Sequence, residues 1–229
     1  MGLHDGHRDR LRNRFLENGL ETFYPHNVLE LILFYAIPRK DTNELAHNLL
    51  NRFGSFHAVL DAPIEELCKV PGIGYNTAVL LKTYLPVARY YAASKGSPDM
   101  ILDSSELCGN FLLSNFIGLT EEKTLLLCMD NRCKFLACVN VADGDMNSVG
   151  VSTRKLVETV LKTGATCVVL AHNHPGGVAI PSPGDVESTK KVAVAMKSIG
   201  VSLLDHIIVA NDDYVSMAQS AEFKGIFNF

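Results

Sequence analysis

The stretch "AHNHPGGVAIPSPGD", residues 171–185, directly follows the apolar run Cys167-Val168-Val169-Leu170 and decides how the second half of the chain folds. The run is rich in β-branched residues and reads as a buried strand. Side chains alternate along a strand with period 2, so His172 and His174 leave its C-terminal end on one face. Pro175, Gly176 and Gly177 end the strand. Ser182, with Asp185 three residues later, then opens the amphipathic stretch "VESTKKVAVAMKSIG" as a capping box. The cap fixes the first helical turn, and that turn aims Asp185 at the imidazoles. Two histidines and one aspartate suit a divalent ion such as zinc, and three protein ligands leave a fourth position open. An isolated His-x-His pair is a weak signal, and Ser182-x-x-Asp185 alone needs nothing beyond a helix cap. It is the joint spacing that favours a metal.

The rest of the 229-residue chain sets the limits around that centre. With 47% hydrophobic and 20% charged residues, it has the composition of a globular protein large enough for one big domain or two modest ones. No apolar run approaches the roughly 20 residues of a membrane span, so no membrane partner is expected. The start "MGLHDGHRDRLRNRF" lacks an apolar signal region, and residue 6 is Gly rather than the Ser or Thr of a myristoylation site. A cytoplasmic protein is the expectation. The six cysteines form no Cys-x-x-Cys. Cys128, Cys133 and Cys138 recur every five residues, but Asn131-Arg132 reads as a turn between the first two. Buried or partly buried thiols are expected rather than a second metal site.

The net charge of −4 argues against a polyanion binder by bulk charge. Up to Lys95 there are 11 basic against 10 acidic residues, and beyond it 10 against 15, so a near-neutral front precedes an acidic back. The seam between them is "ASKGSPDM" (93–100), which has the composition of a linker. Two domains follow, 1–95 and 96–229.

The first reads as all helical. "HRDRLRNRFLENG" is closed by Gly19; "HNVLELILFYAI" is apolar nearly all round and should be buried; "DTNELAHNLLNRFG" runs from a cap at Asp41 or Thr42 to Gly54. "SFHAVLDA" is a short helix, and "PIEELCKV" opens on Pro63 as first helical residue. In "NTAVLLKTYLPVARYYAAS", Pro86 should kink or break the helix. Between these last two, the turn "VPGIG" (70–74) resembles a helix-hairpin-helix. Gly72 and Gly74 would leave backbone N–H groups at a helix start where a phosphate can dock, with Lys69 and Lys82 adding charge. The structural alternative is a turn that only packs helices. Arg8, Arg10, Arg12 and Arg14 are spread round their helix and read equally well as a solvated surface. Any DNA binding here should be weak, non-specific and salt-sensitive.

The second domain reads as β-β-α-β-α-β. "LTEEKTLLLCMDNRCKFLACVNVADGD" makes two strands with a turn near Asn131-Arg132, and "STRKLVETVLKTG" a helix between a Ser152 or Thr153 cap and Gly164. The metal strand, a helix from about 183 to 199 and the strand "SLLDHIIVA" complete an α/β domain with a mixed sheet.

His172-x-His174, seven residues, Ser182, two residues and Asp185 resemble the JAMM signature of MPN/JAB-type zinc metallopeptidases and isopeptidases. The longer "VLAHNHPGG…PSPGD", with "LLDHIIV" (203–209), "LLLCMDNRCKFL" (125–136) and the N-terminal segments through "VPGIG", is similar to the bacterial RadC family over nearly the whole chain. That resemblance implies a helical, helix-hairpin-helix-like domain followed by an MPN/JAB-like mixed-sheet domain, with one zinc per chain on His172, His174 and Asp185.

It also implies a base, a glutamate on an earlier strand that takes a proton from water and returns it to the leaving amine. Glu121 and Glu122 are the candidates. Glu122, eight residues before Asp130, fits the RadC-type pattern, and neighbouring strand residues face opposite ways, so only one can reach the metal. Ser182 would donate to the developing oxyanion. Asn173 points the other way and pins the loop, while Asp205 or His206 could support the site from behind. RadC-like sequences carry Arg-Glu where this chain has Arg154-Lys155; with Glu122 as the base, that change is peripheral. The function implied is zinc-dependent hydrolysis of a peptide or isopeptide bond in a peptide or protein substrate. The alternative is a DNA-binding repair or recombination-associated protein whose metal domain is structural or regulatory.

Overall fold

The structure is a computed structural model that describes residues 6–38, 40–144 and 152–227. The chain divides between Val87 and Ala88 into two units. The first contains α1 (His7–Asn18), α2 (Pro25–Ala36), α3 (Asn43–Phe53), α4 (Phe56–Asp61), α5 (Ile64–Leu67) and the start of α6 (Tyr75–Ser94). Gly19 and Gly54 end α1 and α3, Thr42 precedes α3, and the Ser55 hydroxyl caps α4 by accepting the Ala58 N–H. As its all-round apolarity requires, α2 forms the heart of this unit, with Leu29 and Leu33 fully buried against Ala46, Leu49, Leu67 and Leu81. Burying each such leucine stabilises the fold by about 2 kcal/mol.

Two local expectations shift. Pro63 is the N-cap of α5 rather than its first residue, because its ψ of 150° is extended. Pro86 does not break α6, which continues through it to Ser94. The division at Val87 therefore falls inside a helix, upstream of the linker-like stretch at 93–100. That stretch lies within the second unit and its end is tied into it: Phe135 N–H donates to Met100 O and, just beyond, Leu102 N–H to Cys133 O, both at 2.8 Å.

The second unit is built on a five-stranded sheet in the order β2-β1-β3-β4-β5, from β1 (Lys123–Met129), β2 (Phe135–Asp143), β3 (Cys167–Asn173), β4 (Ser202–Ala210) and β5 (Asp213–Ser216). β3 lies antiparallel to β1 and parallel to β4, and every one of its residues is buried. That is why its sequence is a continuous apolar run rather than an alternating one. On one face, Leu126, Cys128, Val168, Leu170 and Leu203 pack under α8 (Thr153–Thr163) and α9 (Pro183–Ser198). On the other, Leu127, Met129, Val169, Ala171, Ile207 and Val209 pack under α7 (Ser105–Asn115).

α7 and β5 are additions to the expected β-β-α-β-α-β order. They meet at Gly109, where a Cβ would collide with the Tyr214 ring, so only glycine permits the contact. The turn near Asn131-Arg132 is present, held by the Asp130 carboxylate, which accepts the Arg132 and Lys134 N–H groups. Among the cysteines, Cys108, Cys128 and Cys167 are buried and Cys133 and Cys138 half-buried, whereas Cys68 is exposed, contrary to expectation.

Candidate metal centre

The centre lies where β3 ends and α9 begins. In the β1–β3 pairing, Thr124 stands opposite His172, and in the β3–β4 pairing Ile208 does. Two and four residues behind His172 on the strand, Leu170 and Val168 pack on the α8–α9 face, so His172 belongs to that face too. His174 lies one residue beyond β3, still tied to the sheet through its N–H, which donates to Val209 O at 2.7 Å. Ser182 is the N-cap of α9: its Oγ accepts the Asp185 N–H at 3.2 Å, and Asp185 Oδ2 accepts the Ser182 N–H at 2.7 Å. The cap thus turns the Asp185 carboxylate inward, where it is 2% exposed.

Three donor atoms converge there. His172 Nε2 is 2.8 Å from His174 Nε2 and 3.2 Å from Asp185 Oδ1, and His174 Nε2 is 3.5 Å from Asp185 Oδ2. A tetrahedral zinc with bonds of about 2.0–2.2 Å needs donors about 3.3–3.6 Å apart. His174 Nδ1 faces the Val178 carbonyl at 3.1 Å, so it must carry the proton and leave Nε2 as a lone pair aimed at the other two donors. The donor set fits a divalent ion and both Asp185 separations match that spacing, while the two imidazoles lie closer together than a bound zinc would hold them. Among the described residues this is the only cluster of three or more His, Cys, Asp or Glu side chains able to hold one. Burial pushes the Asp185 carboxyl up, but the His172 imidazole and the Ser182 hydrogen bonds outweigh it and hold the group well below the usual carboxylate range.

Glu122 is not a member of the cluster. It immediately precedes β1, two residues before Thr124, which pairs with His172; the alternation of β1 continued past its first residue would carry Glu122 to the His172 face and Glu121 to the opposite one. The backbone around it is held from both sides. Asn173 accepts the Lys123 N–H at 2.7 Å and donates to Glu121 O at 3.0 Å, while Gly144 N–H donates to Glu122 O at 2.7 Å. Asn173, expected to pin the loop after β3, ties down this segment ahead of β1 instead. Lys155 is exposed on α8, where its charge helps to keep the Asp143 carboxyl low, after the Asn140 and Lys123 hydrogen bonds.

The pair Asp205–His206 is divided by a bulge. β4 pairs Val168 with Leu203 but Val169 with Asp205, so Leu204 is the extra residue. One inserted residue exchanges the faces of everything after it. His206 consequently joins the metal face, where its Nε2 is 2.9 Å from His172 Nδ1 and its Nδ1 2.6 Å from Thr189 Oγ1. Burial, and then the charge of His172, hold its imidazole well below the ordinary histidine value. Asp205 joins the α7 face, where its carboxylate accepts from the Ser105 and Ser216 hydroxyls and the His206 and Ala218 N–H groups. Thr189 was not singled out in the sequence, although its i+4 spacing from Asp185 puts both on one helical face.

The other candidate residues lie in the first unit. Gly72 has φ +92°, and a Cβ there would meet Leu45 Cδ2 at 2.7 Å, so the turn requires glycine for its own packing. Gly74 has open space around it. Lys69 is ion-paired with Glu66, and Lys82 donates to the Leu60 and Asp61 carbonyls at 2.7 and 3.0 Å, closing the end of α4. Arg8 donates to the Phe34 and Ile37 carbonyls, Arg12 pairs with Asp9, and Arg14 bonds Thr22.

Comparison with known proteins identifies the family. The profile of the RadC-like JAB domain matches residues 102–223, and that of the UPF0758 N-terminal domain matches residues 6–79. A UPF0758 protein of Fusobacterium nucleatum subsp. nucleatum is 32% identical over 221 residues, covering 93% of this chain and 95% of that one. The chain belongs to the RadC (UPF0758) family, an N-terminal helical domain joined to a JAB-type α/β domain.

Proposed function

We propose that this protein is a zinc-dependent hydrolase of the JAMM type that cleaves a peptide or isopeptide bond, with one zinc per chain on His172, His174 and Asp185. The observation that carries the reading is the convergence of three buried or half-buried donors from β3 and α9, of the kinds zinc takes and too few to close its coordination. Zinc in such a site supplies Lewis acidity that makes water a nucleophile at neutral pH and polarises a carbonyl. The chain supplies the rest. Glu122, just ahead of β1 and two residues before Thr124, takes the proton of the attacking water and returns it to the leaving amine. Ser182 Oγ already accepts the Asp185 N–H, so its own proton is available to the oxyanion that develops on the substrate carbonyl.

The test is a peptide and isopeptide library screened on the zinc-loaded full chain. Glu122→Gln should retain zinc and lose at least about a hundred-fold in rate, whereas Glu121→Gln should leave the rate nearly unchanged. If Glu121→Gln is the damaging change, the strand register is misassigned; if neither matters, the mechanism is wrong.

Gly74 supports a second reading, a DNA-associated protein in which the metal domain is structural or regulatory. Neither its φ nor its packing requires glycine, yet glycine lets a phosphate approach the start of α6. With Lys69 and Lys82 engaged elsewhere, such binding would be weak and non-specific.

A further inference from the structure

We infer that His206 and Thr189 form a one-way hydrogen-bond relay that fixes the tautomer of His172, so that the helix supplying the third ligand also sets which nitrogen of the first ligand is free for metal. The inference rests on the zinc reading above only for its purpose; the relay itself is a property of the chain.

The direction follows from a single group that cannot donate. Thr189 Oγ1 is hydrogen-bonded to the backbone carbonyl of Asp185, and a carbonyl only accepts, so the threonine proton goes there. Facing His206 Nδ1 at 2.6 Å, the same oxygen must then accept, which puts a proton on His206 Nδ1. His206 has no exposed surface, and its ring bonds His172 and Thr189 rather than a carboxylate, so it is held neutral and its Nε2 is an acceptor. His172 Nδ1, 2.9 Å away, must therefore donate. That turns His172 Nε2 towards the other two donors, 3.2 Å from Asp185 Oδ1 and 2.8 Å from His174 Nε2. The other two donors are fixed by shorter links, His174 by the Val178 carbonyl and Asp185 by the Ser182 N–H.

Where metal-ligating histidines commonly donate their other N–H to a carboxylate, a carbonyl or water, this chain uses a second, neutral histidine. The Leu204 bulge makes that possible. Without the extra residue, alternation from Leu203 would turn Asp205 to the metal face and His206 towards α7. His206 and Thr189 are positioning residues: they act through His172 and touch no substrate.

The experiment reads tautomers directly, by ¹H–¹⁵N correlation of histidine-labelled, metal-free full-length protein, and affinity by zinc competition against a chromophoric chelator. In wild type, His206 should be protonated on Nδ1 and bare on Nε2, and His172 should carry a proton on Nδ1. Thr189→Val removes the terminal acceptor; it should abolish the single tautomer at His206 and weaken zinc binding about 10- to 100-fold. Thr189→Ser keeps the hydroxyl and should restore both readouts to near wild type, which a merely space-filling role for Thr189 would not do. His206→Phe should lower affinity by a similar factor, and if it fails to fold, the Thr189 pair still decides. A His172 without a proton on Nδ1 in wild type, or Thr189→Val with wild-type tautomers and affinity, overturns the relay. A wild type that shows the expected tautomers but takes up no zinc upholds the relay and refutes the proposed function.

Discussion

Asn173→Ala tests whether the segment around Glu122 is held from behind. The side chain is 4% exposed and makes two hydrogen bonds to the backbone on either side of Glu122, accepting from Lys123 N–H and donating to Glu121 O. Each is worth about 1 kcal/mol net, so the loss of both should destabilise the protein by roughly 2 kcal/mol, rising to about 3 if the Lys123 N–H is left without a partner. Metal content should survive, because the three ligands keep their own supports. Hydrolysis should fall by more than the stability loss explains, since a displacement of about 1 Å in a positioned group costs up to about a hundred-fold. Asn173→Asp keeps the acceptor for Lys123 but sets a buried carboxylate against the Glu121 carbonyl. Its folded pKa should lie above the unfolded value, so this variant should gain stability as pH falls through that folded pKa, when the protonated acid can donate as the amide does. Urea unfolding of the metal-free variants, zinc analysis and single-substrate kinetics provide the three readouts. An Asn173→Ala protein within about 0.5 kcal/mol of wild type, or one that loses zinc as fully as a ligand variant, refutes this account.

Thr124 lies opposite His172 with its hydroxyl buried and without a hydrogen-bond partner among the described residues. Thr124→Val should therefore stabilise the metal-free protein by about 1 kcal/mol, measured as a shift in urea midpoint at constant m-value, and a loss of stability would reveal a partner for that hydroxyl. Gly72→Ala, forced to φ +92° and against Leu45, should cost about 1–2 kcal/mol in the same assay. Gly74→Ala meets no atom within 4 Å and should be neutral or slightly stabilising. If the turn binds DNA, Gly74→Ala should weaken that binding in a low-salt titration of the full chain while leaving stability intact; unchanged binding argues that the turn is only a packing element.

The metal strand, its capped helix and the glycine-bounded helices of the first unit were legible because each carries its own local signal: a β-branched run, a Ser-x-x-Asp cap, a glycine in the left-handed region at the end of α3. α7 was not, because "SELCGNFLLSN" has little amphipathic contrast and carries Gly109 in its middle, a glycine explained only by the Tyr214 ring it meets in space. β5 spans four residues and depends on β4 for every one of its pairings. The choice between Asp205 and His206 depended on a bulge at Leu204, and "SLLDHIIVA" gives no local sign of one; only the pairing with β3 reveals it. Pro86 signalled a helix break, yet α6 continues through it with its buried residues all upstream, at Thr77, Ala78 and Leu81.

Zinc stoichiometry of the purified full-length chain tests the central claim most directly, by elemental analysis of wild type beside His172→Ala, His174→Ala and Asp185→Ala. The account predicts about one zinc per wild-type chain and loss of it in each variant, since removing one of three protein arms costs orders of magnitude in affinity. Full retention of metal in a folded His174→Ala protein would contradict it.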